Sequence, residues 1–295
     1  MNNYAFYTLD VFTEQIFGGN PLAVFPDAQG LTASQMQAIA KEFNLSETVF
    51  VLPSEQPDCD FQLRIFTPHA EIPFAGHPTV GTAYLLAHLG FIPTTQTQIF
   101  LEEGVGTIPV AIAWENNRVK TTALSAAQMP VFSEVPAVAI AELLNLTPAD
   151  LAPDRQPAVI SCGLPFFYIP LASEAALHRC SLNLALWEKA IKNTEAANIY
   201  PFFVAENQTI YARMFAPALG ITEDPATGSA ATALAGYLAK YYPVATPENH
   251  WQIYQGIEMG RPSQIRLMFQ SEADQVMAIF VAGATVLVSE GTLGL

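Results

Sequence analysis

Four side chains in this sequence have the type and setting for proton chemistry: Glu47, His77, Asp224 and Ser229. Glu47, in Leu45-Ser46-Glu47-Thr48, falls between a predicted helix and an apolar strand. A carboxylate entering a largely apolar wall has its pKa raised by desolvation, and raised towards neutrality it could both give and take a proton. Its position fits a capping or surface role as well. His77 follows Gly76 at the head of an apolar segment, where an N-cap and a catalytic group are both plausible readings. Asp224 and Ser229 flank the turn Pro225-Ala226-Thr227-Gly228, and turn and cap roles would suit them too. Residue chemistry nominates these four and leaves those alternatives open.

Two apolar helices would position them. After His77 and Pro78, Val80, Ala83, Tyr84 and Ala87 recur at helical spacing, with Leu85, Leu86 and Leu89 on the other face. Pro78 suits the first helical position, where its missing N–H costs nothing. After Gly228, Ser229 suits an N-cap, and Ala230 to Ala239 carries no charge. A helix apolar all round must be buried, and about a dozen residues are too few to span a bilayer. Each is read as a core helix starting near His77 or Ser229. Its unsatisfied N–H groups and positive dipole end then form a ready anion site, able to hold a carboxylate or a developing enolate without a metal.

These segments belong to a repeat. Gly19-Asn20-Pro21 before Leu22-Ala23-Val24 returns as Gly163-Leu164-Pro165 before Phe166-Phe167-Tyr168. Arg64-Ile65-Phe66-Thr67-Pro68 returns as Arg213-Met214-Phe215-Ala216-Pro217, and Glu71-Ile72-Pro73-Phe74-Ala75-Gly76 as Glu223-Asp224-Pro225-Ala226-Thr227-Gly228. Three signatures in one order imply two halves of one fold, facing each other so that both helix starts converge on a cleft. Strands are expected at Tyr4 to Phe12, Ala23 to Phe25, Thr48 to Leu52, Phe61 to Phe66, Val159 to Ser161, Phe166 to Leu171, Tyr200 to Ala205, Thr209 to Phe215, Ile265 to Phe269, Val276 to Val281 and Thr285 to Ser289. Met36, Ile39, Ala40 and Phe43 form an amphipathic helical stripe, and further helices are expected near Ala139 to Leu144 and Leu184 to Ile191. The expected class is α+β: two curled sheets, each around one buried helix.

Composition narrows the partners. With 295 residues and 51% hydrophobic content, the chain can build one or two real cores. A formal net charge of −15, from 27 acidic and 12 basic residues, repels nucleic acid and anionic lipid, so neither is an expected partner. The N-terminal Met1-Asn2-Asn3-Tyr4 carries no export pattern, and a cytoplasmic location is expected. The three cysteines, Cys59, Cys162 and Cys180, show no metal-ligand spacing and suit reduced thiols.

The motifs Gly19-Asn20-Pro21, Ser46-Glu47-Thr48, Ala75-Gly76-His77-Pro78-Thr79, Glu223-Asp224-Pro225-Ala226-Thr227-Gly228-Ser229-Ala230 and Met259-Gly260-Arg261-Pro262-Ser263 closely resemble those of the phenazine-biosynthesis PhzF-like isomerase family, which has the diaminopimelate epimerase fold. They run from position 19 to 263, nearly the whole chain. The resemblance implies a homodimer without cofactor or metal, built of two pseudo-symmetric lobes with mostly antiparallel sheets. It places the first lobe at about residues 1–120 with a returning strand at 283–295, and the second at 121–282. It implies that Glu47 moves a proton between carbons of a small carboxylate-bearing substrate. His77, Asp224, Ser229, Gly76, Thr227 and Gly228 would then line the pocket. Epimerases of that fold use two facing cysteines, and neither helix-start loop here has one. One carboxylate acting on one face predicts a 1,3 or allylic hydrogen shift. The rival readings are an epimerase or racemase of an amino-acid-like acid, with His77 or Asp224 as second base, and a non-catalytic small-molecule-binding protein.

Overall fold

Aromatic and β-branched residues suit a pleated, half-buried backbone, and the runs rich in them are strands in the computed structural model of the chain, which describes residues 2–242, 246–272 and 275–295. The chain divides into two compact units, Met1–Ala127 with Val281–Leu295, and Gln128–Phe280. Each carries a mixed sheet and a few helices, and the class is α+β.

In the first unit the strands pair in the order Thr285–Gly294, Asn3–Val11, Asn20–Phe25, Glu47–Leu52, Phe61–Phe66, Gln98–Glu103, Gly106–Glu115, Arg118–Ser125. Two of these neighbours are parallel, Asn20–Phe25 with Glu47–Leu52 and Phe61–Phe66 with Gln98–Glu103. A parallel pair needs a crossover, and a helix lies in each: Ala33–Phe43 in the first and Gly76–His88 in the second. The helix Ala33–Phe43 is closed by a capping box between Thr32 and Gln35 and by Asn44 in the left-handed conformation. Its Met36, Ile39 and Ala40 pack with Phe25, Phe50 and Phe66. The helix Gly76–His88 is buried along nearly its whole length and touches strands from both ends of the sheet order. Gly81 permits that approach, since a Cβ there would stand 2.6 Å from a Val11 methyl group.

In the second unit the order is Val131–Ser133, Ala158–Ser161, Pro165–Pro170, Ile199–Val204, Thr209–Ala212, Glu248–Gln255, Ser263–Glu272. From Ala158–Ser161 onward the neighbours run antiparallel, parallel, antiparallel, parallel, antiparallel. The first unit has the same succession from Asn3–Val11 to Gly106–Glu115. The crossovers correspond as well. Short helices Glu174–Arg179 and Leu184–Ala190 span the first and pack Leu177 and Trp187 on Phe167 and Ile169. The buried helix Gly228–Tyr241 spans the second, with Gly236 allowing Pro130 to close on it.

The repeated Arg and Glu of the sequence form the same structure twice. Arg64 grips Glu71 with two hydrogen bonds of 2.7 Å, and Arg213 grips Glu223 with two of 2.8 Å. Each guanidinium also lies over the phenylalanine two residues on, Phe66 at 5.3 Å and Phe215 at 5.0 Å. The bidentate pair holds the chain that leads from strand to buried helix.

Some expectations need correction. The buried helices start at Gly76 and Gly228, so Pro78 is the third helical residue and Ser229 the second, and neither caps. Pro78 is still tolerated, because the first turn has no internal partner for its N–H groups. Strands Gln98–Glu103, Gly106–Glu115, Arg118–Ser125 and Glu248–Gln255 were not signalled by aromatic or β-branched runs. They alternate buried and exposed residues; the exposed half is largely polar in Gln98–Glu103, Arg118–Ser125 and Glu248–Gln255, whereas in Gly106–Glu115 it includes Ala111 and Ala113.

Candidate active site

The first unit gathers Asn20, Glu47 and His77. Gly19 turns the chain into the strand Asn20–Phe25 at φ +61°, where a Cβ would stand 2.3 Å from the Val11 carbonyl oxygen, so only glycine fits. Asn20 is thereby fully buried, and its Nδ2 lies 3.3 Å from His77 Nδ1. Glu47 opens the neighbouring parallel strand, in register with Leu22. His77, one residue into the buried helix, brings Nε2 within 3.1 Å of Glu47 Oε2. The two side chains are 6% and 10% exposed. The approach is close but poorly aligned for a hydrogen bond.

Burial pushes the His77 pKa down to about 3, against a smaller upward effect of a hydrogen bond to the Pro21 backbone. The ring is therefore neutral near pH 7, and its contact with Glu47 is no ion pair. A neutral imidazole has one donor and one acceptor nitrogen. If Asn20 Nδ2 donates to Nδ1, the hydrogen sits on Nε2 and faces Glu47. In the other tautomer the hydrogen sits on Nδ1, and Nε2 offers Glu47 a lone pair. The same ring can thus partner an ionised or a protonated Glu47.

A second buried carboxyl supports the helix start. Glu103, at the end of Gln98–Glu103, is pushed up to about 8 by burial, with the Thr79 hydroxyl opposing. Thr79 Oγ1 lies 2.7 Å from Glu103 Oε1 and 2.8 Å from the Ala75 carbonyl oxygen. One hydroxyl hydrogen cannot serve two acceptors. A neutral Glu103 donating to Thr79, which donates to Ala75, satisfies both contacts.

In the second unit, Asp224 and Thr227 are buried in the turn before Gly228–Tyr241, and Thr227 Oγ1 donates to Asp224 Oδ2 at 2.5 Å. Gly228 is buried and Ser229 half-buried at the first two helical positions. No side chain caps this helix or Gly76–His88. Gln255, fully buried at the end of Glu248–Gln255, bonds to the Asp224–Thr227 turn and to Tyr200. Asn20 and Tyr200 stand in the sequence only as parts of a motif and a strand, and Glu103 and Gln255 carry no mark there as site residues. A buried Gln in a strand that reads as polar carries no local signal. Among the described residues no group of His, Cys, Asp and Glu is arranged to hold a metal ion.

A family model described as phenazine biosynthesis-like protein matches residues 9–291. The chain belongs to the phenazine biosynthesis-like family. Within that family it is 39% identical over 300 residues to an uncharacterized isomerase of Mesorhizobium japonicum, covering 99% of this chain and 98% of the relative. It is 35% identical over 291 residues to the trans-2,3-dihydro-3-hydroxyanthranilate isomerase of Pseudomonas chlororaphis, covering 97% of each. The crystal structure of a Bacillus anthracis phenazine biosynthesis protein of the PhzF family superposes with a TM-score of 0.90 at 27% identity over the whole of both chains. The family member described here is an isomerase.

Proposed function

We propose that this isomerase works without a cofactor on a small carboxylate-bearing substrate, with Glu47 as the group that moves a proton. The observation that carries the reading is the 3.1 Å approach of Glu47 to a neutral, buried His77. In the proposed reaction the Glu47 carboxylate takes the proton from an activated C–H of the substrate. The electron pair left behind delocalises over the adjoining unsaturation. Neutral His77 stays beside the carboxyl throughout and adds no charge to the site. Glu47 then returns the proton to a second carbon on the same face, so a double bond and a hydrogen exchange places and the composition is unchanged. Asp224 and Ser229 orient the substrate. Backbone N–H groups near Gly76 to Thr79 meet its carboxylate, as a helix start without a side-chain cap is suited to do.

The named activity of the Pseudomonas relatives makes trans-2,3-dihydro-3-hydroxyanthranilate the first compound to test. Proton NMR in deuterated water, run on this compound and a panel of unsaturated and amino carboxylic acids, would follow loss and relocation of C–H signals. A shift of a hydrogen between carbons that disappears in Glu47→Gln supports the reading. A folded Glu47→Gln protein with full turnover sinks it, and deuterium entering a stereocentre with inversion marks an epimerase instead.

A further inference from the structure

We propose that Gln255 is a positioning residue whose side-chain amide fixes the Asp224–Thr227 turn in the geometry that meets substrate; this rests on the reading above for the claim that the turn does so. A primary amide offers two N–H donors and two acceptor lone pairs, and Gln255 commits all four locally. Nε2 donates to the Asp224 carbonyl oxygen at 2.7 Å and to Thr227 Oγ1 at 3.0 Å. Oε1 accepts from the Tyr200 hydroxyl at 3.2 Å and from the Thr227 N–H at 3.4 Å. Three of the four bonds grip the turn, and the fourth ties Gln255 to the strand Ile199–Val204.

The bonds have a direction that matters for Asp224. With Gln255 donating into Thr227 Oγ1, the Thr227 hydroxyl must spend its own hydrogen on Asp224 Oδ2, 2.5 Å away. Gln255 thereby orients the Asp224 carboxyl through Thr227. It also engages the N–H of the residue that precedes the uncapped helix Gly228–Tyr241. The neighbouring Gly256 shows how closely this strand end is moulded to the turn. It sits at φ +75°, and a Cβ there would stand 2.7 Å from the Pro225 carbonyl oxygen and 2.5 Å from that of Arg261.

Gln255→Glu isolates the proposal. The shape is kept, but an ionised Glu turns acceptor oxygens on the Asp224 carbonyl and on Thr227, whereas a protonated Glu regains one donor. The titratable groups facing position 255 are Asp224, from the turn, and Tyr200, which burial holds well above the usual tyrosine range. The experiment compares the full-length unmodified protein, Gln255→Glu, Gln255→Leu and Tyr200→Phe at pH 5 and pH 8. One readout is turnover of trans-2,3-dihydro-3-hydroxyanthranilate, and the other is amide hydrogen exchange corrected for intrinsic rate. Losing buried hydrogen bonds predicts, for Gln255→Glu at pH 8, a fall in kcat of about 100-fold and exchange at residues 226–231 faster by about 10-fold or more. Both return towards the unmodified values at pH 5, while residues 76–82 exchange normally at both. Gln255→Leu shows the loss at either pH, and Tyr200→Phe a milder one. Equal loss in Gln255→Glu at both pH values, or unchanged exchange in residues 226–231, overturns the proposal. If the unmodified protein turns nothing over, the functional reading has failed, and the exchange measurement decides the role of Gln255 by itself.

Discussion

At the scale of single residues, burial decides what each acid or base can do. His77 has a folded pKa of about 3 against an ordinary 6.5, so as pH falls from about 6.5 the unfolded chain takes a proton before the folded one does. The stability tied to a neutral His77 is full above pH 6.5 and is lost as pH falls towards 3. Glu103 is the opposite case, at about 8 in the fold against 4.5. Its folded form holds the proton longer, so its contribution is full below pH 4.5 and lost as pH rises through 8. Urea unfolding across pH should therefore show two limbs, each no steeper than about 1.4 kcal/mol per pH unit from one group. Glu103→Gln, which can still donate to Thr79, should flatten the alkaline limb and be more stable than the unmodified protein at pH 8, with little difference at pH 5. A Glu103→Gln protein that loses stability in parallel with the unmodified one would show that this carboxyl is already ionised. For turnover, Glu47→Gln should lower kcat by about 100-fold to 10,000-fold, the usual range for a general acid/base, while thermal melting confirms that the variant is folded.

At the scale of elements, the repeated Arg–Glu pair shows how one motif takes different energetic weight from its surroundings. Arg64 and Glu71 are 26% and 43% exposed, so Glu71→Gln should cost at most about 1 kcal/mol. Arg213 and Glu223 are 10% and 15% exposed, and the Arg213 guanidinium also donates to the Cys180 carbonyl at 2.5 Å. Glu223→Gln removes the bidentate partner and leaves Glu258 at 3.9 Å as the remaining carboxylate, and should cost about 2 kcal/mol or more. Chemical denaturation of the two variants in parallel tests the ordering, and equal losses would contradict it. The turn at Gly19 belongs to the same scale. Gly19→Ala adds a positive-φ penalty to a collision with the Val11 carbonyl, and a loss of about 1–3 kcal/mol is expected, with Asn20 and its contact to His77 displaced.

At the scale of the whole molecule, a net charge of −15 opposes the approach of any carboxylate. Salt screens such a field over about 10 Å at 0.1 M. The KM for a carboxylate substrate should therefore fall as sodium chloride rises from 10 mM to 150 mM, whereas an uncharged analogue should show no trend. A KM that rises with salt would mean that a local cationic site governs capture.

Elements with strong local patterns were legible in the sequence: the aromatic strands, the capped helix Ala33–Phe43 and the two buried helices, whose stretches Pro78 to Ala87 and Ala230 to Ala239 carry no charge and leave no charged face for water. The repeat implied two halves of one fold; the shared succession of parallel and antiparallel neighbours is seen only in the structure, where equivalent turns and crossovers direct the chain alike. The polar-alternating strands Gln98–Glu103 and Glu248–Gln255 escaped it. Half of each strand faces water, and that half reads as loop. Glu47 and His77 were recognisable as candidates, but a carboxylate at a strand start and a histidine at a helix start say nothing of their separation. Parallel register and a close-packed helix bring them to 3.1 Å. Gln255 likewise reaches the Asp224 turn only through the tertiary structure, since hydrogen bonds between residues far apart in the chain depend on which strands become neighbours, and no local spacing records that.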